Sequence, residues 1–386
     1  MYYFLTASSD SYITENEPTY ISQFKDTTTK NYGGDEILEL KKGFFNSYDT
    51  GSFNISRILV KFNYNHLSNS IVSGDIPSPS PTSLLKSKYY LKLYEVEGQT
   101  QLNDSYTIKV FPLSQSFEEG VGKKFDNPQI EKGVTWTDFN SGSAWSKIAG
   151  INVDSGSRIK SLGGGVWITG SGYEASQSFL NISSDIDVDV SDIVIKHLGG
   201  TNQIDNNGFI LKLTDSIESD STPHNLKFFS KQTNTIYQPR LEVRWNDVTT
   251  TFPSYTVKNY LTMSGEFENH IFIKGLQKSY RESEKIRFRM GCRKKYVTKS
   301  FTESMLTSSF YIAKGSGSYS IVDVGTNTSI VPFSSYTSMS ADTTSMYFDQ
   351  WFENFEPGRY YKILFKLRYN DGHETIIDNN EEFKIV

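Results

Sequence analysis

Short runs of alternating or densely aromatic residues, punctuated by Gly, Asn, Asp and Ser, recur along the whole chain. They include Ile37–Leu40, Ser56–Tyr64, Tyr89–Val96, Tyr106–Pro112, Gly208–Leu213, Leu226–Phe229 and Leu241–Trp245. This spacing predicts short strands joined by tight turns, the pattern of a β-sandwich or barrel. The chain also holds 24 Tyr and 26 Phe. Such side chains suit a pleated, half-buried surface, whereas the helix formers Ala and Leu are sparse. The expected class is all-β. In the run 56–64, Ile58, Val60 and Phe62 share one face, and Arg57, Leu59 and Lys61 share the other. The first face is expected in the core, and the Arg57 and Lys61 side is expected to be largely solvated. One short helix is expected within Ile186–Leu198, capped by Asp189 or Ser191.

A length of 386 residues allows two or three domains, each with its own core. A boundary is expected at 247–254 (DVTTTFPS), after a strand that ends in Trp245. That places one β domain at 1–246 and a second at 255–386. The second has six or seven strand-like runs, the strand count of an immunoglobulin-like sandwich. The Ser/Pro-rich segment 70–81 reads as an exposed loop.

Several function classes are disfavoured. A net charge of −5 and the lack of a recognition fold argue against direct nucleic-acid binding. No run reaches the ~20 apolar residues of a membrane span. The N-terminal residues lack the basic region of a signal peptide, so the expectation is a soluble chain made in a reducing compartment. Cys292 stands alone and cannot form an intramolecular disulfide. It reads as a packed side chain, with a reactive thiol beside Arg293 and Lys294 as the alternative. His66, His197, His224, His270 and His373 lack the spacing of zinc ligands. No cofactor is expected, although Asp10, Asp35 or Asp126 offer oxygens for a structural calcium ion. The glycines 163–165 are no phosphate loop, because no Lys-Ser/Thr pair and no helix follow.

Two segments stand out as candidate sites. The stretch 117–167 carries Trp136, Trp145 and Trp167, three of the five tryptophans. As a long ordered loop it reads as a flap, lid or binding loop. Its indoles either pack the flap onto a sheet or stack against a sugar ring, and burial of their large apolar area favours packing for Trp136 and Trp145. Glu118 and Glu119, with Asp126 and Asp138, form an acidic group that glycoside hydrolysis would require as a spaced pair. Turn and capping roles fit these acids better, and no enzymatic activity is expected. The second segment, 285–299, holds seven Lys or Arg residues. Lys285, Arg287, Arg289, Arg293, Lys294 and Lys295 read either as a solvated edge strand or as a docking patch for an acidic neighbour.

A series of short motifs runs in order through SDSYIT (9–14), NYGG (31–34), SRILVKFN (56–63), YYLKLYEV (89–96), SFEEG (116–120), GVTW (133–136), SAW (143–145) and DVDVSDIV (187–194). It closes with NNGFILKL (206–213) and a run from Leu226 to Trp245. In this order the motifs resemble the DNRLRE family of β-jelly-roll modules, found in carbohydrate-associated surface proteins and phage virion proteins. Phe229-Ser230-Lys231 and Pro239-Arg240-Leu241 match the family's closing pattern. The departures are the Ser/Pro insertion and Lys231, at a position more often acidic. Residues 255–386 resemble the immunoglobulin-like modules appended to virion proteins of large tailed phages. Together the resemblances imply a structural component of a tailed-phage virion, assembled in the host cytoplasm. Its implied partners are other virion proteins and further copies of itself. The alternative they imply is a carbohydrate-binding decoration module that meets a host-surface glycan.

Overall fold

The computed structural model describes residues 1–17, 25–26, 28–44, 53–79, 87–96, 104–146, 153–155, 163–180, 185–219, 223–248, 259–261, 263, 269–295 and 310–386. The protein is all-β. Among the described residues, α-helix is confined to Asn65–Val72, Ser191–His197 and Asp215–Ser219. The chain forms two compact units. One gathers Leu5–Ser80 and Lys88–Glu242, and the other includes Met1–Phe4 and Val243–Val386. The division falls inside the strands Tyr2–Thr6 and Arg240–Arg244, so the first four residues group with the later part of the chain. Most of the expected linker, from 249 onward, lies outside the described residues.

The unit containing Leu5–Ser80 is built on a seven-stranded antiparallel sheet. Its order is Ala175–Leu180, Ser105–Pro112, Phe209–Leu213, Phe53–Lys61, Ile37–Phe44 and His224–Phe229, with Ser9–Thr14 also paired to Phe53–Lys61. A four-stranded sheet runs Tyr2–Thr6, Arg240–Arg244, Lys88–Leu93 and Ile186–Asp189. The sheets are stitched together at their ends. Phe229 N donates to Tyr94 O (3.0 Å) and Val96 N to Lys227 O (2.9 Å), which ties one end to the segment after Lys88–Leu93. At the other end the Gln177 side chain accepts from Asp187 N (2.7 Å) and donates to Asp185 O (3.3 Å). A side-chain amide thereby occupies backbone groups that an open strand edge would leave bare.

The strand Phe53–Lys61 corrects the one-sided reading of its alternation. Ile58, Val60 and Phe62 are buried as expected, but Leu59 on the opposite face is also fully buried and Arg57 is only 1% exposed. The reason is a second cover. Leu59 and Ile210 join Phe111, Val134, Trp136, Trp145 and Trp167 in one apolar cluster, so the flap encloses the face expected to meet water. Alternation marks a solvated face only where nothing covers the sheet. The helix expected within 186–198 is shorter than read, since Ile186–Asp189 is a strand and the helix begins at Ser191. Val190 holds its cap position, while Asp189 Oδ1 accepts from Ser191 N (3.0 Å) and Oγ (2.5 Å). The expected loop at 70–81 begins as the last turn of Asn65–Val72, and residues 80–86 lie outside the described residues.

The other unit is a sandwich of two sheets. One runs Asn259–Tyr260, Phe310–Tyr311, Lys285–Lys294, Met346–Trp351 and Ser340–Ala341, with Asn269–Lys274 also paired to Lys285–Lys294. The other runs Ser279–Tyr280, Glu374–Ile385, Tyr360–Arg368, Gly317–Asp323 and Ser329–Val331. Aromatic rings fill the space between them. Tyr319 stacks on Phe348 at 3.9 Å, Phe348 on Phe288 at 5.0 Å, and Phe352 meets Phe383 at 5.1 Å. Offset and edge contacts of this kind stabilise beyond their buried area. The Met1 ammonium lies inside this unit, 3.5 Å from Asp247, and burial pulls it down to about 6.

Candidate interaction site

The flap is assembled on Asn31. This fully buried amide donates through Nδ2 to Glu119 O (2.7 Å) and Val134 O (2.8 Å). Its Oδ1 accepts from Gly33 N (3.2 Å) and Gly122 N (2.8 Å), so all four hydrogen-bonding positions of the side chain are used. The backbone adds Asn31 N to Ile130 O (2.8 Å) and Gly34 N to Gly122 O (2.8 Å). A Cβ at Gly120, where φ is +79°, would lie 2.3 Å from Asn31 Oδ1. Glycine there serves both the left-handed backbone and the close approach. The segments NYGG, SFEEG and GVTW, far apart in sequence, thus meet around one side chain.

The acidic residues of this region are committed to structure. Glu118 Oε2 accepts from Ser141 Oγ (3.0 Å), and Asp126 Oδ2 accepts from Lys123 N (2.7 Å). Glu119 pairs with Lys231 (2.7 Å) and also accepts from Asp10 N (3.2 Å). Asp10 is buried, takes Lys231 N on Oδ2 (2.7 Å), and leaves Oδ1 without a partner. Burial pushes its carboxyl up to about 7 despite that bond, and the neighbouring Glu119 adds to the rise. Burial likewise raises Asp35, which accepts from Lys124 N (3.1 Å) and Tyr12 Oη (3.1 Å). Glu39 shows the opposite balance: burial alone would raise it, but Lys41 and Lys124 hold it at about 2. The calcium reading of Asp10, Asp35 and Asp126 gains no coordination shell. Among the described residues, no three His, Cys, Asp or Glu side chains gather to hold a metal ion.

Trp136, Trp145 and Trp167 are 2%, 7% and 3% exposed, so none presents a ring face to a sugar. The stacking role weighed for them is corrected to packing. Trp145 Nε1 donates to Thr135 O (3.2 Å), and Trp167 packs against Phe111 with centroids 5.9 Å apart. Between Trp136 and Trp167 lies Arg57, 5.2 Å from each ring centroid. Its guanidinium grips Glu218 with two bonds of 3.1 and 2.8 Å and donates to Gly164 O at 2.6 Å. Lys212 lies 3.3 Å from the same Glu218 carboxylate. The flap therefore covers a paired, fully buried charge cluster that alternation gave no means to find. The glycines at 163–165 take part: a Cβ on Gly164, φ +80°, would sit 2.5 Å from Arg57 Nη1 and 2.8 Å from the Trp136 ring.

What the flap leaves outside is the turn near Lys123–Gln129. Phe125 is 91% exposed and Val121 is 70% exposed, on a backbone tied down at Gly122, Lys123 and Lys124.

The basic segment differs from its edge-strand reading. Lys285–Lys294 is an interior strand, bonded along 285–290 to Met346–Trp351 and along 289–294 to Asn269–Lys274. It is therefore no edge strand. Two of its cations are already neutralised. Arg287 forms a two-bond pair with Asp349 (2.7 and 2.8 Å) and lies 4.1 Å from the Tyr347 ring. Arg289 pairs with Asp342 (2.9 Å), and this bond holds the Asp342 carboxyl at about 2. Lys285 lies 5.1 Å from the Trp351 ring. Arg293 and Lys295 stay exposed beside a half-buried Lys294, and 296–299 lie outside the described residues. Cys292 faces the core, where burial pushes its thiol up to about 12 and removes the reactive alternative.

No protein-family model matches the chain, and no curated protein matches it.

Proposed function

We propose that the protein is a non-enzymatic structural component of a tailed-phage virion, acting through protein–protein contacts. The observation that carries this reading is the turn bearing Phe125 and Val121. Two large apolar side chains stand in water on a backbone that Asn31, Asp35 and Asp126 hold in place. Aromatic anchors of this kind concentrate binding energy, and a prefixed loop loses little entropy on docking. The acids that a hydrolase would need are occupied by Ser141, Lys231 and backbone N–H groups. The order of motifs in 1–246, which resembles DNRLRE modules of virion proteins, supports the same assignment. Its partner is a neighbouring virion protein or a second copy of the chain.

Cross-linking mass spectrometry of intact purified particles tests this. The expected result is the protein at a fixed copy number, with cross-links from Lys123 or Lys124 to a neighbour. Phe125→Ser should lower incorporation while leaving unfolding within about 0.5 kcal/mol of wild type, as exposed substitutions generally do. Particles lacking the protein, or equal incorporation of the variant, would defeat the assignment.

A further inference from the structure

Phe125 and Tyr360 are the aromatic rings left exposed among the described residues, and Tyr360, at 54%, lines a groove of about 450 Å³. The groove lies wholly in the unit that includes Val243–Val386, so it does not depend on the role of the turn bearing Phe125. Its volume is that of a small-molecule site, roughly 300–1,000 Å³. Strand alternation builds it. At the start of Tyr360–Arg368, Tyr361 turns into the core and Tyr360 turns outward. Val324 N donates to Tyr360 O (2.9 Å), which sets the exposed Val324 beside the ring on one neighbouring strand end, and Lys384 pairs with Tyr360 on the other. Asp323, Gly325, Arg359 and Glu382 complete the wall.

The polar part of that wall is held in place yet little used. Asp323 is fully buried, with Oδ1 accepting from Thr326 N (2.7 Å) and Thr326 Oγ1 (2.8 Å) and Oδ2 from Arg359 Nη1 (3.4 Å). One long bond therefore orients the guanidinium and leaves most of its donors open. Glu382 is exposed and joins no ion pair among the described residues, so its carboxylate is an open acceptor. Arg359 and Lys384 balance Asp323 and Glu382, so the charges taken together favour neither an anion nor a cation. What remains is a flat apolar ring with Val324 beside it, a fork of donors and an acceptor. A pyranose matches that set: its C–H face lies on an aromatic ring, and its hydroxyls both donate and accept.

We propose that this groove binds a neutral pyranose sugar, stacked on Tyr360 with its hydroxyls on Arg359 and Glu382. The test is an NMR titration that follows the Tyr360 ring and Arg359 Nε–H resonances at constant pH. Glucose, galactose and mannose are the probes, glucuronate and glucosamine are their charged counterparts, and glycerol is the control without a ring. A saturable shift with at least one neutral sugar is expected. Tyr360→Ala, followed at Arg359, should weaken binding roughly tenfold or more, whereas Tyr360→Phe keeps the ring and should retain it. The inference is overturned if none of the three neutral sugars shifts these resonances, if glycerol shifts them equally, if only a charged sugar binds, or if Tyr360→Ala binds as wild type. Backbone spectra of both variants separate lost binding from lost fold.

Discussion

Replacing Asp10 by Asn should make the unit that contains it more stable at neutral pH and remove much of its pH dependence. Asp10 is buried beside Glu119, with one carboxylate oxygen on Lys231 N and the other unpartnered. Its carboxyl is raised from 3.8 in an exposed chain to about 7. In that window the folded state holds a proton that the unfolded state has released. Stability is therefore fully present below pH 4, falls as pH rises toward 7, and is flat above. The difference of roughly 3 pH units, at about 1.4 kcal/mol each, sets an upper bound of about 4 kcal/mol. Asn keeps an acceptor for Lys231 N and carries no charge to desolvate. The assay is urea unfolding at pH 5, 6, 7 and 8, followed by fluorescence of the buried Trp136, Trp145 and Trp167. Glu39 and Asp342, both held at about 2, complete their titration below this range, while His197, lowered by burial to about 4, and the Met1 ammonium, lowered to about 6, titrate equally in both proteins and cancel in the difference. The variant's advantage should grow by a few kcal/mol from pH 5 to pH 8. An advantage of the same size at all four pH values would refute the reasoning, because it would mean that Asp10 ionises in place at no cost.

Glu218→Gln should destabilise the same unit by about 3–5 kcal/mol, because it leaves Arg57 buried without its counter-charge. Replacing Arg57 and Glu218 together by Met should recover most of that loss in the same urea assay. Gly164→Ala should cost about 2 kcal/mol or more, since the new methyl meets Arg57 and Trp136 as well as a left-handed backbone. Gly142→Ala, at φ +73° with open space around it, should cost about 1 kcal/mol and isolates the backbone contribution. With its thiol pushed up to about 12, Cys292 should resist a thiol-disulfide reagent at pH 8 until the protein is unfolded.

The sequence made the strands legible because their side chains alternate, and it placed Ile58, Val60 and Phe62 correctly in the core. Arg57 was misplaced because alternation reports on one sheet and says nothing of a flap that arrives from 50 or more residues away. The mistaken edge reading of Lys285–Lys294 has a related cause. Lysine and arginine do mark edges, but here Asp349 on the neighbouring strand and Asp342 in the turn that leads into that strand let them stand on an interior one. The helix Asn65–Val72 was hidden by its setting, two polar turns ahead of a Ser/Pro segment. The packing of Trp136 and Trp145 could be anticipated from their size, whereas that of Trp167 follows only from its place beside Phe111 and Arg57. The role of Asn31 could not, since an asparagine before two glycines is also an ordinary turn.

The clamp on Asn31 and the seal on Asp10 set a timetable for the ribosome. Asn31 is made early, but its side chain finds Glu119 and Val134 only after another 88 to 103 residues have been added. Asp10 waits longer still, for Lys231, 221 residues downstream. Until the flap is made the nascent chain carries the apolar face beneath it uncovered, and until Lys231 is made Asp10 lacks its backbone partner. The hydrophobic surface that the finished protein hides is thus exposed for most of the synthesis of this unit, the interval in which a chaperone would have something to hold.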